Sequence, residues 1–178
     1  MSTIKVSTIS PLGTDATKTI TIGSHSNGDA AAGVFTNGPS FLSFLTSSQS
    51  TANDTATTII FNSIIFETTN SGYDTSTGKF TPTVAGKYFL YANLHFTGMS
   101  DGNDVELEFQ KNGARTNLIR RDSNANEQSI FSSFALDLNG TGDYATVVGK
   151  QNSGGSKNVE GISSIQVTYF GAYRIIGA

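Results

Sequence analysis

Val105, Leu107 and Phe109 alternate with Asp104, Glu106 and Glu108, and this period of two limits the fold more than any other feature of the chain. Successive side chains of a strand point to opposite faces, so such a run is apolar on one face and charged on the other. Similar signals recur along the chain. Thr58-Ile-Ile-Phe61 and Ile64-Ile-Phe66 are β-branched and aromatic, and Lys87 to Phe96 reads as a long strand. Ile130, Phe134, Leu136 and Leu138 share one face of the next run, Val147-Val148 lies in a short strand, and Ser164 to Ile176 closes the series. Turn clusters stand between them at Asn70-Ser-Gly72, Ser100-Asp-Gly-Asn103, Lys111-Asn-Gly113, Asn139-Gly-Thr-Gly142 and Ser153-Gly-Gly155. No segment carries a convincing helical period. Many strands punctuated by turns predict an all-β, antiparallel jelly-roll sandwich.

The faces of these strands separate two environments. The Asp104–Glu106–Glu108 face is charged, so it is expected to meet water. In the long strand, Tyr88, Leu90, Ala92, Leu94 and Phe96 fall on one side, while Phe89, Tyr91 and His95 fall on the other. The last strand has Ile165, Val167, Tyr169 and Tyr173 against Phe170 and Ala172. Apolar residues on both faces call for a cover on both. The sandwich supplies one cover, and another subunit is the simplest second one. The expected subunit interface therefore contains Phe89, Tyr91, His95 and Phe170.

Residues 1 to 38 have a different texture from residues 39 to 178. Ile4, Val6 and Ile9, then Ile20 and Ile22, are spaced for short strands that cannot bury a face alone. They read as an N-terminal attachment arm on a jelly-roll head. The polar turns, with Asp101, Asn112, Arg120, Arg121 and Asn124, are the expected partner-binding loops.

Composition closes several routes. With no cysteine, disulfides, thiol nucleophiles and Cys-ligated metals are excluded, so stability must come from a core or an oligomer. A formal charge of −3 with only 14% charged residues gives no electrostatic case for nucleic acid or an anionic membrane. Lys111, Arg115, Arg120 and Arg121, opposed by Asp122 and Glu127, read as a solvated face. No apolar run reaches membrane-spanning length, and the Met1-Ser-Thr-Ile-Lys-Val opening lacks a charged-then-apolar signal pattern. The expectation is synthesis in a cytoplasm without membrane insertion. Neither His25 nor His95 is flanked by a nucleophile or acid in a triad pattern, so no catalytic residue is expected. Asp101, Asn103 and Asp104 form the one calcium-like oxygen cluster, but it lacks EF-hand spacing and its closing Glu. It reads as a hairpin turn, and no cofactor is expected.

Phe61-Asn62, Gly72-Tyr-Asp-Thr-Ser-Thr-Gly-Lys-Phe80 and Ala85-Gly-Lys-Tyr-Phe89 together resemble the signature of the complement C1q globular head, the tumour-necrosis-factor-like jelly roll. The likeness continues through Lys111-Asn-Gly113, Gly142-Asp143 and Tyr169-Phe-Gly-Ala-Tyr-Arg-Ile175, although Tyr144 stands where Val usually follows the Gly-Asp pair. The resemblance implies a homotrimer about a threefold axis, with an aromatic-rich interface and loops displayed at the distal end. The opening segment and the Ser/Thr/Asn-rich style resemble bacteriophage virion proteins. Taken together, these imply a non-enzymatic trimeric virion protein, an appendage, tail fibre or knob, whose head meets a host-surface glycan or protein. In that reading the arm attaches to other virion proteins. A capsid decoration or cement protein is the alternative. A glycan depolymerase is a distant third, since it should show a pair of spaced carboxylates in a cleft.

Overall fold

The computed structural model describes residues 38–68 and 70–175. The arm residues Ile4, Val6, Ile9, Ile20 and Ile22 lie outside them. Thirteen strands form among the described residues. They are β1 (Ser40–Phe44), β2 (Ser47–Thr51), β3 (Thr57–Thr58), β4 (Ser63–Glu67), β5 (Tyr73–Asp74), β6 (Lys79–Phe80) and β7 (Gly86–Thr97). After them come β8 (Asn103–Lys111), β9 (Ala114–Ser123), β10 (Glu127–Leu138), β11 (Ala145–Gln151), β12 (Lys157–Ile162) and β13 (Tyr169–Arg174). The predicted strand over Ser164 to Ile176 is shorter than expected, because residues 163–168 form a turn with one isolated bridge from Ile165 to Ile162.

Two antiparallel sheets result, as the alternating pattern requires. Sheet A runs β2–β12–β7–β13–β1–β4, with β10 also paired to β7. The central strand is β7. Its whole length pairs with β10 on one side. On the other side Tyr88 to Asn93 pair with β13, and Phe96 and Thr97 pair with β12. Sheet B runs β5–β6–β11–β8–β9, with β3 also on β11. The fold is a jelly roll with every strand ladder antiparallel.

The core lies between the sheets and takes one parity from each strand. Tyr88, Leu90, Ala92, Leu94 and Phe96 of β7 face Val105, Leu107 and Phe109 of β8 and Val147 of β11, all with no exposure. An aromatic cluster fills one end of this space. Phe41 stacks on Tyr73 with ring centroids 4.4 Å apart and meets Phe170 edge-on at 5.0 Å. Such pairs add to the burial of their large apolar area. The Tyr73 hydroxyl donates to Phe61 O at 3.1 Å, so the cluster buries no orphan polar atom. Burial still pushes the Tyr73 phenol well above its usual range.

Phe170 belongs to this core and not to a subunit interface. It stands opposite Ala92 across the β13–β7 ladder, and residues opposite each other share a face. Ala92 is on the inner side, so Phe170 is too, and it is fully buried. The charged side of β8 also differs from expectation. Glu106 and Glu108 are buried, because arginines of β9 close over them.

Two turns show how the hairpins are fixed. Asn112 and Gly113 both take positive φ, 52° and 79°, the conformation of a two-residue hairpin turn whose twist matches its strands. Gly72 also has positive φ, and a Cβ there would collide with the Thr81 carbonyl. This ties the Gly72-Tyr-Asp block to β6.

Candidate functional site

The outer face of sheet A is aromatic. Ladder register arranges it in rows across the sheet. Ala135, Phe89, Tyr173 and Ser40 form one row, and Ser133, Tyr91, Gly171, Leu42 and Phe66 form the next. Phe131, Asn93, Tyr169 and Phe44 form a third, and Ser129 with His95 a fourth. Ring centroids connect Tyr173 to Phe89 at 5.4 Å, Phe89 to Tyr91 at 6.5 Å and Tyr91 to Tyr169 at 6.4 Å. The Tyr91 ring lies flat over Gly171, where a Cβ would strike it. At the margins, Phe131 is 52% and Phe66 48% exposed, and Ile65 on edge strand β4 is also open to solvent. Burial, then the neighbouring Tyr169 and Tyr173 phenols, push the Tyr91 phenol above its usual value.

His95 closes this face at one end. Its Nδ1 lies 2.8 Å from Ser129 Oγ, and its Nε2 is 3.4 Å from Glu160 Oε2 and 3.7 Å from Glu127 Oε2. Phe89, Tyr91 and His95 thus share one surface, as expected, while Phe170 does not. Tyr169 and Tyr173 take its place. Parity puts Tyr169 and Tyr173 on one side of β13, and the register, with Gly171 opposite Tyr91, makes that side the outer one.

The outer face of sheet B is ionic. Here too register builds rows. Arg120, Glu106 and Lys150 stand side by side on β9, β8 and β11. Arg120 donates through Nε (2.9 Å) and Nη2 (2.5 Å) to Glu106 Oε1, and Arg115 Nη2 donates to Glu108 Oε1 at 2.5 Å. The long aliphatic stems of the two arginines cover carboxylates that would otherwise face water. Burial raises the Glu108 pKa, but the hydrogen bonds from Arg115 and Gln110 and the charge of Arg115 outweigh it and hold the carboxyl below its usual range. The basic residues therefore answer Glu106, Glu108 and, through Lys111 at 2.7 Å, Asp143. They do not pair with Asp122 and Glu127 as read from their closeness in sequence.

The expected loop residues do not form one surface. Arg120 and Arg121 lie within β9 because they continue its ladder opposite Glu106 and Val105. Asp101 and Asn124 flank neighbouring turns, joined by Gly102 N–H donating to Ser123 O at 3.1 Å. Asn112 is at the other end of β8, about 30 Å away for a nine-residue strand. There it donates to Asp143 Oδ1 and accepts from Tyr144 N–H.

Nor do Asp101, Asn103 and Asp104 converge as ligands. Asn103 Oδ1 accepts from Ser100 N–H, whereas Asp104 is held by Asn152. Among the described residues no group of three His, Cys, Asp or Glu side chains is placed to hold a metal ion, and no helix is long and apolar enough to cross a membrane.

No curated protein matches the chain. Among solved structures it is similar to the Eiger TNF of S. frugiperda, at 13% identity and a TM-score of 0.57, covering 80% of this chain and 96% of that one. It is also similar to murine APRIL, at 15% identity and a TM-score of 0.55, covering 78% and 99%. At such identities the likeness is one of fold, the tumour-necrosis-factor-like jelly roll. The C1q domain family matches residues 41–161, from β1 into β12, and the chain accordingly belongs to the C1q domain family.

Proposed function

We propose that the chain is a non-enzymatic module that assembles as a homotrimer through the outer face of sheet A and presents its other surfaces to a partner, as a virion structural protein. The observation that supports this best is the continuous aromatic ladder Tyr173–Phe89–Tyr91–Tyr169, extended by Leu42, Phe66 and Phe131. Sheet B covers the inner side of sheet A and cannot reach the outer one. Burying each aromatic side chain contributes about 1.5–3 kcal/mol, and a second and third copy are the cover that the C1q-like architecture suggests.

Light scattering coupled to size exclusion tests the assembly. A trimer at micromolar concentration is expected, and a Tyr91→Glu variant that elutes as a folded monomer, because the interface would have to bury an unpaired charge. A stable monomer of the unaltered chain sinks the proposal. The virion assignment rests on the phage-like opening and composition, with the arm joining other virion proteins and the head meeting a host-surface glycan or protein. Immunogold labelling of purified particles tests it. Label at the tail supports the appendage, label over the shell replaces it with the decoration reading, and unlabelled particles remove both.

A further inference from the structure

A cavity of about 250 Å³ opens on the outer face of sheet B, away from the aromatic face. Two adjacent ladder rows build it. One is Arg120–Glu106–Lys150. The other is Asp104 with Asn152, which lock together through Asn152 Nδ2 donating to Asp104 Oδ2 (3.0 Å) and Asp104 N–H donating to Asn152 Oδ1 (2.6 Å). Asp54 closes the rim, with Oδ1 2.6 Å from Lys150 Nζ and its backbone at φ 54°. Gln151 contributes backbone here, since its amide group is occupied with Thr51 O and Gly155 O.

The groups are fixed, but not saturated. Glu106 has a side chain 5% exposed. Its Oε1 takes both arginine bonds, and Oε2 accepts none from the described residues. Asp54 uses one oxygen, Lys150 one of three donors, and Arg120 keeps Nη1. Asp104 and Asp122 face each other across the ladder, and the hydrogen bond and charge of Asp104 push the Asp122 carboxyl above its usual range. This surface has acceptor capacity to spare and two cations beside it.

Charge selects the ligand class. An anion entering the cavity meets Asp54, Asp104 and Glu106, and a cation meets Arg120 and Lys150. A neutral ring bearing adjacent hydroxyls meets neither conflict, because each hydroxyl donates to a carboxylate oxygen and accepts from an ammonium or guanidinium. The volume lies just under the 300–1,000 Å³ of pockets for drug-sized ligands, so it suits one ring. We propose that this cavity binds a neutral sugar residue of a surface glycan. The assignment deepens the recognition reading above and rests on it. Binding without cleavage is expected: Glu106 is tied to Arg120 and Asp54 to Lys150, whereas glycoside hydrolysis needs a carboxyl pair free to act as acid and as nucleophile or base.

The test is amide shift mapping by NMR on the full chain, with glucose, galactose, mannose and N-acetylglucosamine as probes. Sodium phosphate, calcium chloride and putrescine serve as charged controls. At least one sugar should give saturable shifts centred on Asp104, Gln151 and Asn152. Asp54→Ala and Asn152→Ala should each weaken it about tenfold or more, the loss expected for hydrogen bonds to charged or fixed polar groups. Arg115→Ala, outside the cavity, should leave affinity unchanged, and melting curves identify any variant that is unfolded. Absence of a sugar response, a response centred elsewhere, or a response to a charged control in place of the sugars overturns the proposal. Oligomeric state is read on the same samples. A trimer that binds no sugar removes this inference alone, and a monomer that binds sugar removes the assembly reading alone.

Discussion

The two outer faces of the sandwich grow from the same alternating strands yet are finished in opposite ways. On sheet B two outward carboxylates of β8 have cationic partners within the same ladder, Glu106 with Arg120 and Glu108 with Arg115, while Asp104 faces Asp122. The cover over those two is local, supplied by the chain itself. On sheet A the outward rings of β7 and β13 pack on one another and over Gly171, with Phe131 and Phe66 left open at the margins. The first face is finished within the monomer, whereas the aromatic face is the one proposed to meet another copy. Hydrophobicity alone does not separate them. What matters is whether the covering atoms come from the same chain.

Substitutions can break this contrast. The largest effect is expected on the shared interior. Phe170→Ala should cost about 3–5 kcal/mol, measured by urea unfolding, because the ring contacts Phe41, Phe61, Tyr73 and Phe109 between the sheets. Were Phe170 an interface residue, its loss would show in oligomeric state and hardly in the monomer. Second comes Tyr91→Glu, which should abolish assembly by light scattering while the monomer keeps its far-ultraviolet circular dichroism. Third is Arg115→Ala on the ionic face. It removes the charged partner of the buried Glu108 carboxylate, leaving only Gln110 on it, and should lower the urea midpoint slightly, because half-exposed Arg115 leaves room for water to replace it. It should not change oligomeric state. A loss of assembly in Arg115→Ala would end the division between the faces.

Much of this organisation is legible in the sequence, and the misreadings have physical causes. The period-two runs locate β7, β8 and β10, and the parity of β7 correctly separates Tyr88 and Leu90 from Phe89 and Tyr91. Phe170 was misassigned because parity defines two sides of β13 without saying which is inner. Only its register against Ala92 decides that. Glu106 and Glu108 look solvated because their arginine partners follow a hairpin away, and Arg120 and Arg121 look like loop residues because a charged edge strand has a loop's composition. The cavity on sheet B is the least legible feature. Asp54, Asp104 and Lys150 are far apart in the chain, and only the β8–β11 register, with the Asn53–Gln151 bridge beside it, brings them together.

The smallest predicted effect concerns pH, and it sharpens the contrast by lying at the β5 edge of sheet B, apart from both the aromatic rings and the β8–β9 ion pairs. Ser76 and Thr77 donate to the Asp74 carboxylate in the turn between β5 and β6, and these hydrogen bonds, the Ser76 hydroxyl first, lower its pKa from 3.8 to about 2. A depressed folded-state pKa stabilises the fold above the unfolded value and loses that contribution as pH falls through the folded one. The stability gap between the unaltered chain and Asp74→Ala should therefore be constant above about pH 5, narrow between 3.8 and about 2, and vanish below. Acid titration by circular dichroism reads it. A gap that persists unchanged at the acid end would show that the turn is held by backbone geometry and not by the carboxylate.

The place of β13 in sheet A has a consequence for how the molecule is made. This strand, the last one described, lies between β7 and β1, which joins the first strand to the rest of the sheet. A ribosome releases the chain N-terminus first, at roughly 5–20 residues per second, so β1 must wait, unpaired on that side, until nearly the whole domain has emerged. The aromatic face draws on β1, β7 and β13 together, so it is complete only once β13 has emerged. A chain stopped before Tyr169 would leave β1 and β7 without their shared neighbour and the sheet unclosed. The assembly proposed for this face therefore waits on the last strand described.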